Sequence, residues 1–345
     1  MFSQDYRTLR TAAGLVDRSR ALVRLTGSDR RSYLQGLLTN DILALTRGTG
    51  CYATLLTPQG RMIADMRVLE TGDAVLIDLA ESVAAAVRDR LEQLVFSEDV
   101  TVADGGGSGI LLGVYGPLAA ETVSRALDGE GSSGDDAAAL GRLRSMRTFD
   151  NTWWDCGGVP VLVVRSDEIG VDGFDVVVPR ERSDALRAAL RAAGALDVSA
   201  EAVHVCRIEA GRPLFGEDMD GDTIPLEAGI EDRAISQTKG CYVGQEIIIR
   251  VLHRGHGRVA RRLVGLTLEP GAAVPVRGDR IRAGEREVGT VTSAAPSPAL
   301  GRPIALGYVH RDFVAPDTPL VILSGSHPAP AVVSRLPFRP ARPGR

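Results

Sequence analysis

Lysine is almost missing from this chain. Of 40 lysines and arginines in 345 residues, one, Lys239, is a lysine. Coding bias accounts for the bias as a whole, since the chain is also rich in Ala, Gly and Arg. Cysteine is scarce too. The four thiols stand at positions 51, 156, 206 and 241. No two are close enough for a Cys-x-x-Cys pair, which excludes a zinc ribbon, a redox dithiol and a disulfide scaffold. No metal centre is expected. Apolar runs stop short of the ~18 residues of a membrane span. Basic residues are scattered and the net charge is −4, so the stripe that marks direct nucleic-acid binding is missing. The first residues carry no apolar signal segment, and Asp5 and Asp17 argue against a transit peptide. The expectation is a cytoplasmic protein, free of membrane and nucleic acid, and monomeric.

What is present has the texture of an ordinary globular chain, 44% hydrophobic and 24% charged. Its length suggests about two or three domains. The first half mixes strand and helix signals. Strands are expected at Ala21 to Leu25, Tyr52 to Leu56, Met62 to Leu69, Ala74 to Asp78, Ile110 to Tyr115, Val161 to Val164 and Phe174 to Val178. Thr57-Pro58-Gln59-Gly60 reads as a hairpin turn between two of them. Helices are expected after a Ser28 cap through Leu38, over Glu81 to Val95, after Gly116-Pro117, over Ser183 to Ala193, and from a Ser199 cap to Gly211. Two glycine-rich stretches, Asp104 to Gly109 and Gly129 to Asp136, lack a phosphate-loop pattern and read as solvent loops. From about Gly257 helical spacing vanishes. Short Val-, Leu- and Ile-bearing strands then alternate with Gly and Pro turns, as in a small β-barrel or sandwich, before a Pro- and Arg-rich tail.

One segment concentrates chemistry. Residues 239 to 246 read Lys-Gly-Cys-Tyr-Val-Gly-Gln-Glu. Two glycines open the backbone. The thiol of Cys241 lies two residues from the only ammonium, and a helical segment follows, so a reactive thiolate tuned by Lys239 is the functional reading. A glycine-rich linker with a buried cysteine is the rival, and local chemistry does not choose between them. Elsewhere, His253 and His256 bracket Gly255 without a third ligand at suitable spacing, which favours loop histidines. Trp153-Trp154 reads as lobe packing in preference to a partner patch.

The octapeptide resembles the signature of the YgfZ family, folate-binding relatives of the glycine cleavage T-protein (aminomethyltransferase). Ala13 to Asp17, Tyr33 to Asp41, Arg207 to Gly216, Pro225 to Gly229, Gly289 to Ser293 and Ala305 to Val309 resemble the same superfamily along the whole chain. The resemblance implies an α+β fold, with two intertwined α/β lobes over residues 1–255 and a C-terminal β-barrel over 256–345. It implies a central site for tetrahydrofolate or a one-carbon derivative. On matching positions, Tyr52 and Asp65 hold the cofactor, with Asp65 beside the reactive N5–N10 edge as hydrogen-bond acceptor or general base. Asp175 stands where the family has a glutamate that contacts the pterin. Glu168 replaces a family tyrosine, whose role is not carried over. Arg207 matches an arginine suited to the folate carboxylates; its rival reading is an ion pair with Glu209 or Asp197. Tyr242 and Gln245, within the octapeptide, join the cofactor-binding set.

Three functions follow from the resemblance. The favoured one is a tetrahydrofolate-binding YgfZ-like protein that supports assembly or repair of iron–sulfur enzymes, including tRNA-modifying ones, through Cys241, with iron–sulfur enzymes or their assembly factors as partners. The alternative is a folate-dependent aminomethyl- or methyltransferase. The third is a folate-regulated adaptor without catalysis.

Overall fold

The computed structural model describes residues 2–105, 109–128, 136–254, 258–324 and 327–338. Half of the first glycine-rich stretch and most of the second, the 255/256 boundary, His256, the side chain of His253 and the end of the tail lie outside the described residues.

One mixed sheet, one antiparallel sheet and a barrel make up the molecule. In the first sheet the strands lie in the order Leu196–Asp197, Gly14–Arg18, Gly109–Tyr115, Gly173–Pro179, Val159–Ser166, Asn151–Cys156. The second runs Thr49–Leu56, Met62–Glu70, Val75–Ala80, Arg20–Thr26, Thr101–Asp104. Only Ser19 separates the strand Gly14–Arg18 from Arg20–Thr26. The chain therefore enters the first sheet, crosses at once to build the second, and returns at Gly109–Tyr115. That crossing interleaves the two lobes.

Alternation along each strand decides what faces where. In Met62–Glu70, Ala64, Met66 and Val68 pack with Tyr33 and Leu34 of the helix Arg30–Leu37 and with Val87 and Leu91 of the helix Glu81–Gln93. The opposite face carries Asp65, Arg67 and Leu69. In the first sheet, Phe174, Val176, Val161 and Val163 pack beneath the helices Ala119–Asp128 and Ser183–Ala192. The helix-free faces of both sheets meet in a shared core, with Leu69 and Leu76 from one and Leu162 and Val164 from the other. Charged residues on these inner faces are thereby trapped between the lobes.

The helix Ala200–Glu209 starts at Ser199, whose hydroxyl accepts from the Ala202 N–H at 3.4 Å as the sequence led us to expect. Ser28 does not cap its helix. It bonds Asp99 instead, at 2.9 Å, and Asp29 takes the cap position without a side-chain bond to the helix. An N-terminal helix, Phe2–Thr11, was not foreseen; it packs Tyr6 and Leu9 against Val205 and Ile208. Strand Asn151–Cys156 was also missed. Its Trp154 packs on the first-lobe core, while Trp153 stays 44% exposed.

The C-terminal strands close into a barrel in the order Arg261–Leu268, Arg302–His310, Arg286–Ser297, Arg280–Ala283, Pro319–Ser324, His327–Ser334, the last pairing with the first. Closure leaves no free strand edge. Among the described residues no helix is long and apolar enough to cross a membrane.

Candidate functional site

The hairpin Thr49–Leu56/Met62–Glu70 brings Tyr52 and Asp65 together. Tyr52 lies opposite Arg67, so Asp65 is its diagonal neighbour on the same face. Gly60, with φ of +74°, closes the turn. Tyr52 Oη donates to Asp65 Oδ2 at 2.6 Å, with both side chains buried. Burial pushes the Asp65 pKa up, against the pull of Arg20 and of the tyrosine hydroxyl. Burial likewise raises Tyr52, so its hydroxyl remains a donor. The tyrosine ring is held by Phe149, stacked at 6.5 Å, and by the Arg233 guanidinium, 5.1 Å from its centroid.

Behind this pair lies an ionic cluster that sequence reasoning did not find. Arg67, wholly buried, donates to Asp78, to Asp175 and, at 3.3 Å, to Ser166 Oγ. Asp78 also accepts from Arg20, and Asp175 from Tyr115. Glu168 Oε2 sits 3.6 Å from Arg18, 3.6 Å from Arg67 and 3.8 Å from Arg20. It is buried and has no hydrogen-bond partner among the described residues. Desolvation opposes its charge, but Arg20, Arg67, Arg18 and Arg233 prevail and draw its pKa down to about 2. The signal was present in the sequence: Asp65, Arg67, Asp78 and Asp175 are charges on alternating positions of otherwise apolar strands.

Two expected ligand residues are engaged elsewhere. Asp175 is fully buried, with one oxygen on Arg67 and the other on Tyr115. The structure places it behind the pair, as a support for Arg67. Arg207 bonds Asp218 at 2.6 Å, Glu217 at 3.0 Å, Ser293 at 3.0 Å and the Arg212 carbonyl at 2.8 Å. Its alternative partners are corrected as well. Glu209 takes Arg10 at 2.6 Å and Tyr6 at 2.8 Å, and Asp197 takes Arg191 at 3.0 Å.

The octapeptide is pinned to the second lobe. Lys239 Nζ donates to the carbonyls of Gln35 (2.6 Å), Leu38 (2.5 Å) and Asn40 (3.1 Å), at the C-terminal end of the helix Arg30–Leu37. Burial draws its pKa down to about 8, with Asp41 and Cys51 opposing. The ammonium acts on the thiol of Cys51, which the sequence reading did not single out. Burial raises Cys51 to about 12 and Lys239 pulls the other way. Cys241 is the exposed cysteine of the four, and is not buried as the linker reading required. Tyr242 is buried under Lys239, whose Nζ lies 5.0 Å from the ring, and burial raises its pKa to about 12. Gln245 is partly exposed and opens the short helix Gln245–Ile249. No group of three or more His, Cys, Asp or Glu among the described residues is arranged to hold a metal.

Comparison with known proteins agrees with this architecture. Residues 1–239 match the GCVT N-terminal domain, and residues 261–339 match the glycine cleavage T-protein C-terminal barrel domain. The chain is 31% identical to an aminomethyltransferase of Streptomyces coelicolor, over 97% of this chain and 88% of that one. It is 32% identical to an aminomethyltransferase of Rubrobacter xylanophilus, over 97% and 85%. The fold superposes on glycine cleavage system aminomethyltransferase T from Bartonella henselae with a TM-score of 0.85, at 24% identity, covering 99% of this chain and 90% of that one. With its lobes and its barrel both matched, the chain belongs to the glycine cleavage T-protein (GCVT) family of aminomethyltransferases.

Proposed function

We propose that this chain binds tetrahydrofolate between its lobes and acts in folate-dependent one-carbon transfer, as an aminomethyltransferase in the sense of its named relatives. The hydrogen-bonded Tyr52–Asp65 pair carries the reading. A carboxyl buried beside a cluster of arginines, with its pKa raised, is suited to accept a hydrogen bond from, or take a proton at, the N5–N10 edge. Glu168 Oε2, which accepts no hydrogen bond among the described residues, fits the same group, because a pterin ring offers N–H donors and a buried acceptor needs one. Tetrahydrofolate, when bound, supplies the nitrogen that receives the one-carbon unit. Tyr52 fixes the Asp65 carboxyl, and Arg20 and Arg67 hold the charge balance behind it.

A second reading rests on Cys241. An exposed thiol in an octapeptide that resembles the YgfZ signature favours a folate-binding protein that serves iron–sulfur enzymes through that thiol. Lys239 takes part by shaping the loop, since its ammonium is committed to carbonyls. One comparison separates the readings. Purified protein is given aminomethylated lipoyl carrier protein and tetrahydrofolate, and methylene-tetrahydrofolate is measured for wild type, Asp65→Asn and Cys241→Ala. The transferase predicts turnover that falls about 10²-fold or more in Asp65→Asn and persists in Cys241→Ala. Absence of turnover in wild type, with cellular function lost in Cys241→Ala, supports the second reading and removes the first.

A further inference from the structure

Near the Tyr52–Asp65 pair, two arginines converge on one carboxylate. Arg212 donates to Asp167 Oδ2 at 2.5 Å, and Arg233 reaches Asp167 Oδ1 at 3.4 Å. Each of the three side chains is about a quarter exposed, at 27%, 27% and 24%. Two cations thus share a single anion where ligand and solvent have access. Arg212 Nε is buried without a hydrogen-bond partner among the described residues. Burial and the nearby Arg233 charge both lower the Arg212 pKa, as expected of crowded cations. Arg233 also lies over the Tyr52 ring, whose hydroxyl bonds Asp65. One aromatic ring and one hydrogen bond therefore separate this guanidinium from Asp65. Arg207, the arginine expected to meet the folate carboxylates, is consumed by Asp218 and Glu217.

We propose that Arg212 and Arg233 form the mouth of the site and grip the glutamate end of a folate whose pterin lies against Asp65. The inference rests on the tetrahydrofolate reading. Asp167 acts as the built-in competitor: it holds both guanidiniums in the free protein and yields part of their hydrogen-bonding capacity to the ligand carboxylate, for which the arginine fork is suited.

Binding of tetrahydrofolate, of its triglutamate and of the tail-less 6-methyltetrahydropterin is measured by calorimetry for wild type, Arg212→Gln, Arg233→Gln and Asp167→Asn. Each arginine change should weaken tetrahydrofolate about tenfold and the triglutamate at least as much, and Arg212→Gln should leave the tail-less pterin unchanged. Asp167→Asn should tighten tetrahydrofolate, which loss of a merely structural ion pair would not do. Salt should weaken tetrahydrofolate binding to wild type more than pterin binding, a readout that needs no variant to fold. The proposal is overturned if Arg212→Gln weakens the pterin and the folate equally, if it weakens neither, or if Asp167→Asn weakens binding. Failure of wild type to bind the pterin at all would remove the folate reading itself, whereas a bound pterin with an arginine-insensitive tail removes only the carboxylate mouth.

Discussion

Lys239 shows how much one side chain of an unusual type can decide. Three carbonyls at the end of the helix Arg30–Leu37 converge on its ammonium within 2.5–3.1 Å. An ammonium is compact and directs three N–H groups, whereas a guanidinium is planar and larger. Arginine, used nearly everywhere else, keeps the charge but not the shape. Lys239→Arg should therefore lower stability by about 1–2 kcal/mol, and Lys239→Met by more, since it leaves buried acceptors unpaired. Urea unfolding of both variants measures this. The alkylation rate of Cys241 is followed in parallel. An unchanged unfolding midpoint together with slowed alkylation would restore the view that Lys239 tunes that thiol.

At the scale of an element, the two glycines of the octapeptide have different jobs. Gly244 has φ of +83°, and a Cβ there would stand 2.6 Å from the Thr57 carbonyl oxygen of the hairpin that carries Asp65. Gly240 is exposed, and a Cβ added there would meet nothing within 4 Å. Gly244→Ala should cost about 1–3 kcal/mol and reduce activity by shifting the loop against the hairpin, while Gly240→Ala should unfold like wild type. Equal unfolding curves for the two would overturn the packing role of Gly244. The same contrast marks what the sequence made legible. Local rules placed the strands around Tyr52, Asp65 and Phe174, the Ser199 cap and the final all-β segment. The family resemblance named Tyr52 and Asp65, thirteen residues apart, as cofactor residues, but not the hydrogen bond that joins them. Long-range pairing was illegible. The partners of Arg207 lie ten and eleven residues on and in the barrel, and Lys239 meets a helix some 200 residues earlier. The strand Asn151–Cys156 was hidden because its two tryptophans drew attention as a patch, although alternation alone sends one inward and leaves the other at the surface.

Across the whole molecule, the interleaved lobes are joined by charge as well as by apolar contact. Arg67 comes from the second sheet. It binds Asp78 of its own sheet and Asp175 of the other, and Glu168 lies over the cluster from the loop before the strand Gly173–Pro179. A buried cluster of this kind is weak evidence of net stabilisation, but removing one member leaves the others uncompensated. For Glu168 the sign is clear. Its pKa is about 2 in the folded chain, below the usual carboxylate value of 4.5. The unfolded chain therefore binds its proton first as pH falls. Its contribution is complete above about pH 4.5 and is lost progressively as pH falls toward 2. Glu168→Gln should remove that part of the acid dependence and lower stability at neutral pH by about 1–3 kcal/mol, because four arginines lose a shared counter-charge. Denaturant unfolding at steps between pH 2 and 7 tests both halves. A variant as stable as wild type at neutral pH, with an unchanged acid slope, would mean that the arginines are balanced by Asp78 and Asp175 alone. Glu168 would then be free to serve the ligand without serving the fold.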